Sequence, residues 1–277
     1  MSSIKERLIS LAEPDYARFA ASLLKKPGEE NLSGSAARML GVRLPALHKL
    51  AKQLSREDWR GSLEELFAAA EGGFEERMLL GFLIGNAKLT EAAVGTAQSG
   101  QYSKRERRGQ EAISLEEQFA LICRFIPRID NWSLCDSFCA CLKFAREYPA
   151  ETWNFLQPLL QSDEEYAIRF GLVMILNYFI TEEYIDRLFP IFDEIGHEGY
   201  YVKMANAWAI SICYVRFPEK TTPYLDENRL DGFTYQKALQ KIVESRCVSA
   251  EVKAKMRERK QNNEKRTANC REEGENK

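Results

Sequence analysis

Arg169, Lys203 and Lys237 stand at equal intervals, each 34 residues from the next, and each sits just inside a run with helical periodicity. The runs are Ile168-Arg169-Phe170-Gly171-Leu172, Val202-Lys203-Met204-Ala205 and Gln236-Lys237-Ala238-Leu239, with an earlier analogue at Glu76-Arg77-Met78-Leu79-Leu80. Counting 34 residues back from Arg169 reaches Cys135, beside Asp136, in the segment that begins near Asn131-Trp132. A fixed period of this size is what stacked helix pairs produce, because one pair cannot bury its apolar face alone and must pack on a neighbour.

The local patterns agree. Leu8, Leu11 and Ala12, and then Leu47, Leu50, Ala51 and Leu54, follow the i, i+3, i+4, i+7 spacing of an amphipathic helix. Pro45, Pro127, Pro149, Pro158, Pro190, Pro218 and Pro223 read as punctuation between helices, since proline is tolerated at a helix start and not inside one. Ser162-Asp163-Glu164-Glu165 reads as a capping box opening a helix through Arg169 to about Phe179. No Asn-Gly or Asp-Gly turn joins two alternating runs, so hairpins are not expected. The expected fold is all-α: an α-solenoid of HEAT-like helix pairs with a concave face, forming one domain over residues 1–258. The repeats are too weakly alike for the sharper tetratricopeptide or ankyrin consensus.

Two segments break the pattern. Residues 91–111 contain Lys104-Arg105-Glu106-Arg107-Arg108-Gly109 and few apolar residues, which reads as a flexible basic insertion. Residues 259–277 read as a disordered polar tail. Both are expected to be solvated linker, though the insertion could add phosphate contacts.

Composition removes several function classes. The 277 residues carry 39 Lys+Arg against 41 Asp+Glu, a net charge of -2. No run approaches the ~20 apolar residues of a membrane helix, and Met1-Ser2-Ser3-Ile4-Lys5-Glu6-Arg7 lacks a signal peptide's apolar stretch. The expectation is a cytoplasmic, bacterial-type protein with no membrane partner. The seven cysteines include no CxxC pair, and His48 and His197 lie far from them. Cys135 and Cys139 could share a helix face, but reduced, buried thiols are the expected state, with neither metal nor cofactor.

The residues that could carry chemistry lie on the repeat. Arg169, Lys203 and Lys237, with Lys241 one turn beyond, would form a basic ladder able to track a phosphate backbone. Alternatively, each pairs with an acid of the adjacent layer, and spacing does not decide between the two. Asp130 or Asn131 can cap the next helix, which puts Trp132 and Asp136, four apart, on one face. Trp208 follows Lys203 by five residues. Two aromatic rings flanking a carboxylate could hold a cationic group. Equally, both tryptophans could be core, with Asp136 paired to an arginine.

The ordered set Trp132, Asp136, Arg169 and Trp208 resembles the DNA alkylation repair family, the AlkD-like HEAT-repeat glycosylases. The resemblance runs from about residue 35 to 255. It includes Leu40-Gly41-Val42-Arg43-Leu44-Pro45, Ile129-Asp130-Asn131-Trp132, Tyr200-Tyr201-Val202-Lys203-Met204-Ala205 and Thr234-Tyr235-Gln236-Lys237-Ala238-Leu239-Gln240-Lys241. It implies a monomer gripping alkylated double-stranded DNA in a concave face and releasing cationic N3- or N7-alkylated purines. Asp136, Trp132, Trp208 and Arg169 match the family's active-site positions, and Arg169, Lys203, Lys237 and Lys241 would contact DNA. The insertion and the Cys135-Asp136-Ser137-Phe138-Cys139 context set the chain apart within that family, some branches of which bind DNA structures without excising bases. A non-catalytic binder of branched or damaged DNA, or a HEAT scaffold for another protein, are the alternatives.

The near-zero net charge hides an uneven distribution. Residues 161–199 hold nine acids and two bases, Arg169 and Arg187, whereas residues 200–260 hold twelve bases and seven acids. A pI of about 6.0 excludes a uniformly basic protein and leaves DNA open as a partner.

Overall fold

The computed structural model describes residues 3–25, 31–69, 72–90 and 112–275, with side chains as far as residue 263. Among them the only extended pairing is an isolated bridge between Leu89 and Ile113, and the remainder of the regular structure is helical. The all-α expectation holds. The chain divides into two compact units, residues 1–144 and 145–277.

The first unit carries α1 (Ile4–Ile9), α2 (Pro14–Ser22), α3 (Leu44–Glu57), α4 (Trp59–Ala68), α5 (Phe74–Gly85), α6 (Leu115–Phe125) and α7 (Trp132–Cys141). Its centre is α5, which packs against α3 and α7, with α1, α4 and α6 also on it. Accordingly α5 is buried nearly all round, from Met78 through Ile84. On α3 the predicted stripe Leu47, Leu50, Ala51 and Leu54 is the buried one. The first helix is shorter than its pattern: α1 stops at Ile9, and Leu11 lies beyond it, exposed.

The second unit carries α8 (Pro149–Leu160), α9 (Glu165–Tyr178), α10 (Ile185–Glu194), α11 (Tyr200–Arg216), α12 (Pro218–Glu227), α13 (Gly232–Glu244) and α14 (Ala250–Glu275). Here α9, α11, α13 and α14 pack in succession. The helices α8, α10 and α12 pack against that row, α8 on α9 and both α10 and α12 on α11, the stacking expected of a solenoid.

Three prolines expected between helices lie inside them: Pro158 in α8, Pro190 in α10 and Pro223 in α12. Each removes one helical donor and displaces the carbonyl four residues earlier. Those earlier residues, Asn154, Asp186 and Glu219, are all exposed, so water can satisfy what the proline frees. The expected capping box before α9 is also different. The N-cap is Glu164, without a side-chain cap, and Ser162 Oγ instead accepts the Glu164 N–H at 3.1 Å.

The stretch expected to be a disordered tail from residue 259 continues α14. Arg259 pairs with Asp226 at 2.5 Å, and the Lys260 carbonyl accepts from Gln236 Nε2 at 3.0 Å. The insertion at 91–111 lies outside the described residues. The described residues on either side of it pair with each other: Thr90 N–H donates to the Ile113 carbonyl and Ile113 N–H to the Lys88 carbonyl, both at 2.8 Å.

Candidate active site

In the first unit the site residues come from α7. Asn131 caps it, its Oδ1 accepting the Leu134 N–H at 3.0 Å. The helix buries Leu134, Cys135, Phe138 and Cys139 and leaves Trp132, Ser133, Asp136 and Ser137 half-buried. Trp132 and Asp136 therefore share the side of α7 that is turned from the core, one turn apart, as the i, i+4 spacing predicts.

Asp130, the other capping candidate, has a different task. Its carboxylate accepts from Ser35 N at 2.6 Å and Ser35 Oγ at 2.7 Å, and pairs with Arg77 at 2.9 Å.

In the second unit the site residues come from α9 and α11. Arg169 is buried, 5% exposed, and its Nη1 donates to the Tyr201 carbonyl at 2.8 Å. Glu165, one turn earlier on α9, accepts the Tyr201 N–H at 2.8 Å. The two side chains thus bracket the Tyr201 peptide and tie the first turn of α11 to α9. Trp208 lies on α11 in a half-buried stripe with Met204 and Ile212.

The tryptophans separate into two kinds. Trp59 and Trp153 are core residues, 3% and 5% exposed, and Trp59 Nε1 donates to the Leu83 carbonyl at 2.9 Å. Trp132 and Trp208, the two at site positions, are the half-open ones.

The basic ladder is only partly available. Lys203 Nζ pairs with Glu198 at 2.7 Å and Asp231 at 3.6 Å, and the Glu198 contact, ahead of the opposing effect of burial, raises its pKa. This is the interlayer pairing that spacing left open, because Asp231 caps α13. Lys237 makes no ion pair among the described residues; its ammonium lies 5.6 Å from the Phe233 ring centroid. Lys241 sits half-buried in the last turn of α13.

Among the described residues six cysteines, Cys123, Cys135, Cys139, Cys141, Cys213 and Cys247, are free thiols. Cys135 and Cys139 are fully buried, and burial raises the thiols of Cys141 to about 11 and of Cys213 to about 12. Among the described residues no group of three or more His, Cys, Asp or Glu could hold a metal ion. No helix there is long and apolar enough to cross a membrane.

In the first unit a half-open tryptophan stands one turn from a carboxylate on α7, and in the second unit a half-open tryptophan stands on α11, at the positions the family resemblance names. The comparison with protein families decides the matter: the model described as "DNA alkylation repair enzyme" matches residues 4–242. The chain belongs to the DNA alkylation repair enzyme family. No curated protein and no solved structure matches it. Family membership makes this a DNA repair protein. In Leu40-Gly41-Val42 the backbone N–H groups of all three residues donate to the Glu75 carboxylate at 2.6–3.1 Å. Glu75 is itself 1% exposed. That turn needs Gly41 at φ +87, where a side chain would meet the Glu13 carbonyl at 2.2 Å.

Sequence reasoning missed this Glu75 cradle and the Asp130–Arg77–Ser35 cluster. Their partners lie 33–35 and 53–95 residues apart, and no local pattern joins them.

Proposed function

We propose that this family member is a DNA glycosylase that excises cationic N3- or N7-alkylated purines from double-stranded DNA, working as a monomer and without a cofactor. The observation that carries the reading is the half-open Trp132 one helical turn from Asp136, on the side of α7 turned away from its core.

The chemistry asks little of the protein. An alkylated purine already carries positive charge, so the C1′–N9 bond breaks with both electrons passing to the base, which leaves neutral without a general acid. Positive charge then develops on the deoxyribose. The Asp136 carboxylate stabilises it electrostatically and steers a water to C1′, accepting the proton the water loses. Trp132 and Trp208 supply π-faces that favour a cationic base or sugar. Arg169, buried and bonded to the Tyr201 carbonyl, acts as a positioning residue for α11, the helix that carries Trp208. Lys237 and Lys241 contribute charge toward the backbone, and Lys203 less, since two carboxylates already neutralise it.

The deciding assay measures methylated purine released from methylated duplex by the wild type and by Asp136→Asn. The expected result is release by the wild type and a loss of roughly 100-fold or more in the variant with DNA binding kept. Binding without release by the wild type would instead mark a non-catalytic DNA-structure binder.

A further inference from the structure

In the first unit a cavity of about 440 Å³ opens beside α7, lined by His48, Lys52, Asn86, Ser137 and Lys143 among others. A second, of about 330 Å³, shares His48 and Lys52 and adds Lys49 and Arg56. We propose that these cavities form a binding site for the phosphates of a nucleic-acid strand, next to the Trp132–Asp136 side of α7. The proposal rests on the DNA-acting reading above and names residues that reading does not use.

The charge distribution is the first argument. In this unit the arginines Arg7, Arg18, Arg43, Arg60, Arg77 and Arg124 are each ion-paired to a carboxylate. Lys49, Lys52, Arg56 and Lys143 are exposed and make no ion pair among the described residues. No carboxylate lines either cavity. Four basic side chains gathered around two cavities that no carboxylate lines concentrate positive charge there, which is the electrostatic footprint of an anion site.

The lining chemistry is the second. Two ammonium groups, an amide and a hydroxyl can all donate, as a tetrahedral oxyanion requires. His48 and Lys52 are one turn apart on α3. The His48 ring is held flat against Phe82, with centroids 3.9 Å apart and planes at 12°. Burial and then the charges of Lys52 and Lys143 lower its pKa, so both lysines act on the same small volume.

The shape of the patch favours a polymer over a free ion. Lys49, Lys52 and Arg56 continue along successive turns of α3, a row about 10 Å long at 1.5 Å per residue. Ser137 joins the row to α7, adjacent in sequence to Asp136. A strand lying along this row would be held beside the carboxylate.

The test uses the full chain and the double variant Lys52→Gln/Lys143→Gln, whose altered side chains are exposed and leave the core untouched. Affinity for a plain duplex is measured across salt concentrations, with thermal unfolding as the control for folding. Wild-type binding should weaken steeply with salt, and the double variant should bind roughly 10-fold more weakly at 0.1 M salt, with a salt slope lower by about two, one for each lysine removed. Wild-type binding with an unchanged slope in the variant overturns the site and leaves the DNA reading standing. Absence of salt-dependent binding by the wild type overturns both. A parallel titration follows the His48 ring resonances. Movement with duplex supports a backbone phosphate, whereas movement with inorganic phosphate alone overturns the assignment to a strand.

Discussion

The Arg169 guanidinium is bonded to the Tyr201 carbonyl, 32 residues away, at 2.8 Å, joining the first turns of two successive helices of the inner row. Two other basic residues of the repeat do the same. Arg77 on α5 reaches Asp130, just before α7, and Lys203 on α11 reaches Asp231, the cap of α13. In these three cases a basic residue clamps one helix to the start of a helix packed against it. Arg169 and Lys203, 34 residues apart, thus each make such a clamp, whereas Lys237 makes no ion pair among the described residues.

Replacing Arg169 by Met tests this. The change leaves the Tyr201 carbonyl without its side-chain donor inside a buried site, at a cost of about 1–3 kcal/mol. Denaturant unfolding should show that loss, and excision should fall with it because α11 carries Trp208. A variant as stable as the wild type would refute the clamp and return Arg169 to a purely DNA-contacting role.

The tryptophans give a sharper division. Trp59→Ala removes a 3% exposed ring and its bond to the Leu83 carbonyl, and should cost about 3–5 kcal/mol of stability. Trp208→Ala, at a half-open position, should cost about half as much or less yet abolish most base release. The pair of variants, compared by unfolding midpoint and by release rate, separates core from site. Loss of stability without loss of release in Trp208→Ala would remove that residue from the proposed mechanism.

These cases indicate what a sequence can disclose. The repeat period, the α3 stripe and the i, i+4 relation of Trp132 to Asp136 depend on residues close together in the chain, and all were legible. The clamps were not, because Arg169 and Tyr201, or Arg77 and Asp130, have no shared pattern. The same basic spacing serves a phosphate ladder or interlayer bonding equally well. Pro158, Pro190 and Pro223 misled for a related reason: proline's cost depends on whether the displaced carbonyl meets water, and exposure is a tertiary property. The cavity lysines carry no motif at all. They are distinguished by lining cavities to which no carboxylate contributes, and a cavity is a tertiary property.

Gly41 offers a direct check on the Leu40-Gly41-Val42 signature. Its φ of +87 lies in the left-handed region, and an added Cβ would come within 2.2 Å of the Glu13 carbonyl and 2.7 Å of the Ala17 N. Gly41→Ala must then distort the turn that delivers three N–H groups to Glu75. The conformation alone costs about 1–2 kcal/mol and the contact with backbone adds to it, so a total above about 2 kcal/mol is expected. Glu75→Gln should be damaging in its own right, because an amide cannot accept all three bonds as strongly as a carboxylate. An Ala variant of wild-type stability would show that the turn is not under this constraint.

His48 supplies a pH signature. Burial against Phe82, then the charges of Lys52 and Lys143, hold its pKa below the ordinary 6.5. The unfolded chain therefore binds a proton at a higher pH than the folded one. Stability from this group is fully present above pH 6.5 and is lost as pH falls from there through the lowered folded value. Unfolding free energy measured from pH 7.5 downward should decline across that window, and His48→Gln should flatten the decline. Saturating duplex should act in the opposite sense, since a phosphate beside the ring favours its protonated form and raises the His48 pKa. A His48 pKa that does not move when duplex is bound would place the strand elsewhere on the protein, whatever the outcome for Asp136.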